Sequence, residues 1–258
     1  MKSFVLDQPR PAVHVPVPPV LPALGSVRMK LQWHRTQGAG DFFDALAINH
    51  SRLLFLLMDI DGQRDSTREI TTWVQNEFRS RAPELFARFI NESGALSELC
   101  LHLNRTVLEG AKHTPLLAAT FIGVLNEKSG TLTFINAGHV PGLLLTAESN
   151  EFLGSTGLPL GIFSHATHEA CCRVIPCGGA LLMASRSVVE TRGEPGIVPS
   201  MHGSSEFGAP GLLKAIEGVN RVAKPLCRAV LESAILHAGR RTGKGMSVAA
   251  ISRDEWPQ

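Results

Sequence analysis

Apolar residues concentrate in two neighbouring runs, 42–48 and 53–58, and their pattern predicts paired strands joined by a tight turn at His50 and Ser51. The second run, from Leu53 to Met58, contains no polar position, which predicts a strand buried on both faces. It runs straight into Asp59, so an acid is delivered at a rigid sheet edge. From there the spacing changes. Ile70, Trp73, Val74 and Phe78 fall on one helical face, predicting a helix over 66–78 with Asp65 or Ser66 as its cap. Two more helices are predicted over 84–90 and 96–108, the latter aligning Leu96, Leu99, Leu103 and Val107. Strand patterns return at 117–125, 131–136, 142–145, 170–175, 180–184 and 246–252, with helical stretches at 211–216 and 224–237. Blocks of strands kept apart from blocks of helices predict an α+β domain built in layers.

Two segments break these patterns. Residues 9–22 hold six prolines and no helical period, which predicts an extended arm, and their alternating valines suit it to lie along an apolar groove. Folded structure is expected from Leu24, giving an arm over 1–23 and a domain over 24–258. The stretch 192–211, rich in Gly, Pro and Ser, is expected to be a mobile loop.

Composition narrows the function. With 44% hydrophobic and 19% charged residues, the 258-residue chain has the apolar content for a sizeable core. Its 25 Lys and Arg against 23 Asp and Glu leave a net charge of +2, without the basic excess of a nucleic-acid or anionic-membrane binder. No apolar run reaches the roughly 18 residues of a membrane helix, and the N-terminus meets an acid and prolines too early for a signal-peptide core. A cytoplasmic protein is expected, with neither nucleic acid nor membrane as partner. Cys100, Cys171, Cys172, Cys177 and Cys227 form no Cys-x-x-Cys pair and are expected as free thiols.

Five short segments, in order, resemble one family. AGDFFD at 39–44 is similar to a GGDFYD motif, and MDIDG at 58–62 to GDVSG. TFIGVLN at 120–126, TLTFINAGHVP at 131–141 and STGLPLGI at 155–162 are similar to its paired strands, its AGHxP turn and the SGxPLG segment that follows. The chain thus resembles the PPM-type metal-dependent protein phosphatases, specifically the bacterial branch of SpoIIE and RsbU, from about residue 38 to residue 252. The resemblance implies a four-layer α-β-β-α sandwich with two antiparallel sheets. It also implies two Mn²⁺ or Mg²⁺ ions that activate a water against a phosphoserine or phosphothreonine. Matched position by position, Asp41 and Asp59 are two of the metal-binding acids and the backbone carbonyl of Ile60 is a third ligand.

The second half of that metal site departs from the family. Where the family reads LLLYTDGVTE, residues 181–190 read LLMASRSVVE, which places Arg186 on a metal-binding Asp and Ser187 on its Gly. Where the family reads DDxT, residues 244–247 read KGMS, which places Lys244 and Gly245 on two acids. Four carboxylates carry about −4 and hold two divalent cations, whereas two carboxylates facing Arg186 and Lys244 sum to about zero. At an effective dielectric of about 20, exchanging an acid for Arg about 4 Å from a cation turns roughly 4 kcal/mol of attraction into repulsion. Two readings follow: a divergent serine/threonine phosphatase with impaired metal-dependent catalysis, or an inactive pseudophosphatase acting as a phosphoprotein-binding or scaffold module, with Arg186 and Lys244 placed to hold a phosphate. Mn²⁺ or Mg²⁺ is the expected cofactor of an active site, and none of an inactive one. The implied partner is a regulatory phosphoprotein such as an anti-sigma-factor antagonist, with homodimerisation also compatible.

Other features carry less. Asp44, Asp61, Asp65 and Glu190 lie near the motif positions as replacement ligands for a single metal. His139 reads as a hydrogen-bonded turn residue in preference to a catalytic acid. His165 and His168 lack zinc spacing, and neither GAGDFF nor RRTGKG has the context of a phosphate loop. Trp73, Val74 and Phe78 read as core, on a surface that in the resembling phosphatases also couples partner binding to the metal site.

Overall fold

The structure, a computed structural model, describes residues 19–34, 41–61, 64–111, 116–193, 206–239 and 245–254, the side chains of 64–66 excepted. Two five-stranded antiparallel sheets lie at its centre. The first is formed by β2 (Asp41–Asn49), β3 (Arg52–Asp61), β4 (Leu117–Asn126), β5 (Thr131–Ala137) and β8 (Cys171–Val174), in that spatial order. The second runs β1 (Val27–His34), β10 (Met246–Arg253), β9 (Ala180–Ala184), β6 (Gly142–Leu145), β7 (Asn150–Leu153).

Strand alternation sorts the side chains into three packed layers. In β3, Leu54, Leu56, Met58 and Ile60 face α1 (Arg64–Arg88) and α2 (Glu92–Gly110), where they meet Ile70, Val74, Phe78, Leu96 and Leu99. Leu53, Phe55 and Leu57 point the other way, into a second core shared with Leu181, Met183, Ala249 and Ile251 of the facing sheet. A third core packs α4 (Gly208–Ile216) and α5 (Ala223–Ala238) on the outside of the second sheet. The apolar run of β3 is therefore continuous because both of its faces are buried, as the sequence predicted.

Some elements differ from the predicted ones. The helices expected at 66–78 and 84–90 are one helix, α1, with Pro83 inside it. Proline lacks the N–H that would bond back to Arg79, yet buried Phe78, Ala82, Leu85 and Phe86 hold the helix against the sheet through that defect. Strands β1 and β7 and the one-turn α3 (Arg186–Val189) are absent from the sequence-based reading. Of the expected arm, Leu21 packs against the core between the sheets beside Leu24, the first residue of the expected domain, and residues 1–18 lie outside the described residues. Most of the expected loop, 194–205, also lies outside them.

Candidate functional site

Both sheets bring strand ends to one place. Asp41 opens β2 and Asp59 lies near the end of β3, and the two residues are direct partners across the antiparallel ladder. Asp41 shares the alternation of Phe43 and Ala45, and Asp59 that of Phe55 and Leu57, so both carboxylates lie on the face between the sheets. The facing sheet supplies their neighbours. Ser247, at the start of β10, donates from its hydroxyl to Oδ2 of Asp41 at 2.8 Å. Ser185, immediately after β9, locks the ends of β9 and β10 together: its N–H donates to the Ser247 carbonyl at 2.9 Å, and its hydroxyl accepts from the Ser247 N–H at 3.2 Å.

Arg186 begins α3 and reaches back over this pair. Its Nε lies 3.6 Å from Oδ2 of Asp59 and 3.8 Å from Oε1 of Glu190, one turn further along. Burial pushes the Asp59 carboxyl up to about 6, with the charge of Asp41 adding to it. The Arg186 guanidinium works in the opposite direction, and Asp61 and Glu190 again raise it. Burial likewise raises Asp41, against the hydrogen bonds from Ser247 and Ser185 that favour its charged form. Two acids facing each other in a half-dry cleft are thus held above the ordinary carboxylate range even with a cation beside them.

The remaining predicted positions are distributed as follows. Ile60 is buried, its side chain in the helix-facing core. Gly245 directly precedes β10, while Lys244 lies outside the described residues, as do Gly62 and the side chain of Asp65. Asp44 is not available to the cleft. Strand alternation turns it to the opposite face, where its fully buried carboxylate accepts from Nε and Nη2 of Arg79 at 2.7 and 2.9 Å and from Gln75 at 3.3 Å. Asp61 ends β3 exposed. Among the described residues, no group of three or more His, Cys, Asp or Glu side chains is arranged to hold a metal ion.

His139 is a turn residue, as its motif suggested. Its N–H donates to Oδ1 of buried Asn136 at 2.8 Å, and its Nδ1 meets the Val140 carbonyl at 2.9 Å. Burial, opposed by the hydrogen bond to the Val140 carbonyl and aided by the charge of Arg186, holds its imidazole down at about 4, so the ring is neutral at pH 7. Ser185 and Ser247 are the site residues that sequence reasoning missed. Ser247 occupies the Thr of the DDxT motif, but nothing local announces that its hydroxyl meets a residue 206 positions away.

With this geometry in view, the two-sheet architecture is that of the PP2C-type phosphatases. The RsbU and RsbW domains of a Mycobacterium tuberculosis protein superpose with a TM-score of 0.68 at 22% identity, over 92% of this chain and 64% of theirs. The PP2C phosphatase domain and regulatory fragment of SpoIIE from Bacillus subtilis gives 0.67 at 14% identity, over 89% of this chain and 64% of that one. This chain therefore spans less than two thirds of either structure. The catalytic domain of the serine/threonine phosphatase PstP, solved with two manganese ions, gives 0.59 at 14% identity, over 89% and 99%. More specifically, the stage II sporulation protein E (SpoIIE) family matches residues 70–254, and the chain belongs to that family. The matched span starts within α1, so it contains Arg186 but neither Asp41 nor Asp59. Among the described residues, no helix is long and apolar enough to cross a membrane.

Proposed function

We propose that this SpoIIE-type phosphatase domain acts in bacterial phosphoprotein signalling with its metal-dependent hydrolysis impaired, recognising a phosphoserine or phosphothreonine protein of the anti-sigma-factor-antagonist kind. In this assignment the domain spans 24–258 behind an N-terminal arm over 1–23. Asp41, Asp59 and the Ile60 carbonyl stand at metal-binding positions, and Arg186, Lys244 and Gly245 replace the remaining acids. The observation that carries the reading is the Arg186 guanidinium, 3.6 Å from Asp59. Two carboxylates and one guanidinium sum to about −1, too little negative charge for two hard divalent cations, so the donor set does not fit a two-metal centre. Both ion contacts of Arg186 exceed the roughly 2.7–2.9 Å of a strong charge-assisted hydrogen bond. Its planar fork is therefore free to exchange them for the oxygens of a phosphoryl dianion.

The test combines Mn²⁺ calorimetry, hydrolysis of an aryl phosphate and of a phosphoserine peptide, and peptide binding. The parent is expected to bind the peptide with little or no Mn²⁺-dependent turnover. Arg186→Ala is expected to weaken that binding about tenfold, and Arg186→Asp to gain Mn²⁺ affinity. Mn²⁺-dependent turnover in the parent as fast as in the Arg186→Asp chain, and abolished by Asp59→Asn, would overturn the proposal. It would instead establish a second reading, a working single-metal phosphatase in which Glu190, whose carboxylate lies 3.8 Å from Arg186 beside Asp59, serves as the replacement acid.

A further inference from the structure

Three large apolar side chains stand half in water at one end of the first sheet: Leu117 at 46% exposure, Leu158 at 52% and Phe163 at 50%. Leu117 opens β4 as the cross-strand partner of Asp61, and Ala119, two residues on, is the partner of Asp59. Leu117 shares the alternation of Phe121 and Leu125, so it lies on the face that carries the Asp41 and Asp59 carboxylates. As the diagonal neighbour of Asp59, it stands about 7–8 Å away. The segment that carries the other two residues is fastened alongside. Ala118 and Leu160 exchange two backbone hydrogen bonds at 3.0 Å, the Pro159 ring lies against Gly138, and the Asn104 side chain holds the Gly161 N–H and the Phe163 carbonyl. An apolar ledge thus borders the cleft at the end of β3, with exposed Asp61 beside it.

We propose that this ledge receives an apolar side chain of the bound phosphoprotein, two positions from its phosphorylated residue. The inference rests on the reading of Arg186 as the phosphate-binding group and adds to it a preference for the surrounding sequence. Position argues for this occupant. The Arg186 Nε lies 3.6 Å from Oδ2 of Asp59, so a phosphoryl group on its fork sits at the same end of β3 as the ledge. An extended polypeptide advances about 7 Å over two residues and returns a side chain to the same face, which is the spacing from Asp59 to Leu117. A segment seated by its phosphate therefore lays its own neighbouring residue on the ledge. Chemistry then narrows that residue. The side chains of Leu117, Leu158 and Phe163 offer no hydrogen bond, and an apolar group placed on them removes both surfaces from water. A carboxylate in the same place would face the charge of Asp61. The ledge thus favours an apolar residue by burial and rejects an acidic one by repulsion.

The experiment is fluorescence anisotropy of labelled phosphoserine peptides in a Gly-Ser host, titrated with the full chain without divalent ions. One peptide carries Leu two residues before the phosphoserine, one carries it two residues after, one carries none, and each has an unphosphorylated counterpart. One of the two Leu peptides is expected to bind about tenfold more tightly than the plain phosphopeptide, and Leu117→Thr is expected to remove that gain. Where Leu117→Thr does not fold, Leu158→Ser is read on the same criterion. Phosphate-dependent binding with no gain from Leu, or with a gain that survives the substitution, would overturn the ledge and leave the Arg186 reading standing. A gain of the same size in the unphosphorylated peptides, lost on substitution, would uphold the ledge and overturn phosphate recognition by Arg186. Binding of none of the peptides would overturn both.

Discussion

Replacing Asp59 with Asn should stabilise this protein at neutral pH. Burial and the facing Asp41 hold the Asp59 carboxyl at about 6 in the folded chain, against 3.8 for an unperturbed Asp. Between those values the folded state binds a proton that the unfolded state has already released. Stability therefore falls as pH rises through this window and levels off above it. A difference of about two pKa units, at about 1.36 kcal/mol each, amounts to roughly 3 kcal/mol at pH 7. The side chain is only 14% exposed, so solvent removes little of this. Asn has nearly the same shape and no charge to desolvate. The assay is urea unfolding of parent and Asp59→Asn without divalent ions, at pH 3.5, 5 and 7. The two chains should be nearly equal at pH 3.5, with the variant ahead by about 2–3 kcal/mol at pH 7. An Asp59→Asn chain equal to or less stable than the parent at pH 7, or a difference independent of pH, would refute the reasoning.

Three further outcomes are expected. Arg79→Ala should cost about 3 kcal/mol by stranding the fully buried Asp44 carboxylate, and Asp44→Leu/Arg79→Leu should recover most of that loss in the same urea experiment. Asn104→Ala should cost about 2 kcal/mol and speed amide exchange at Gly161, because fully buried Asn104 accepts from the Gly161 N–H and donates to the Phe163 carbonyl, both at 2.9 Å. Gly138→Ala should lower stability by at least about 2 kcal/mol, read as a fall in the thermal midpoint: its φ is +72° and an added Cβ would lie 2.4 Å from Pro159.

What the sequence determined by itself is local. The unbroken apolar run of β3 announced a strand buried on both faces, and β6 and β9 fall at the predicted residues. The helical spacing of Ile70, Val74 and Phe78 announced the core face of α1, but Trp73, read as core with them, is 40% exposed at the margin of that face. Period and burial are properties of a few adjacent residues, so they survive in the string. Motif order made the family legible for the same reason. Strand alternation, once β2 begins at Asp41, even fixes that Asp41 and Asp44 face opposite ways. Strands β1 and β7 escaped because their apolar content is thin and their partners decide their burial: β1 pairs with β10, more than two hundred residues away along the chain. The split of α1 at Pro83 was a local signal that tertiary packing overrode. The arrangement of the cleft belonged to tertiary structure alone. The Asp41–Asp59 register depends on how two strands align, the Ser247 bond on how closely two sheets approach, and the place of Arg186 on a single turn of helix at the end of β9. Such contacts join residues that are neighbours only after the layers have stacked, and there the charge balance of this protein is decided.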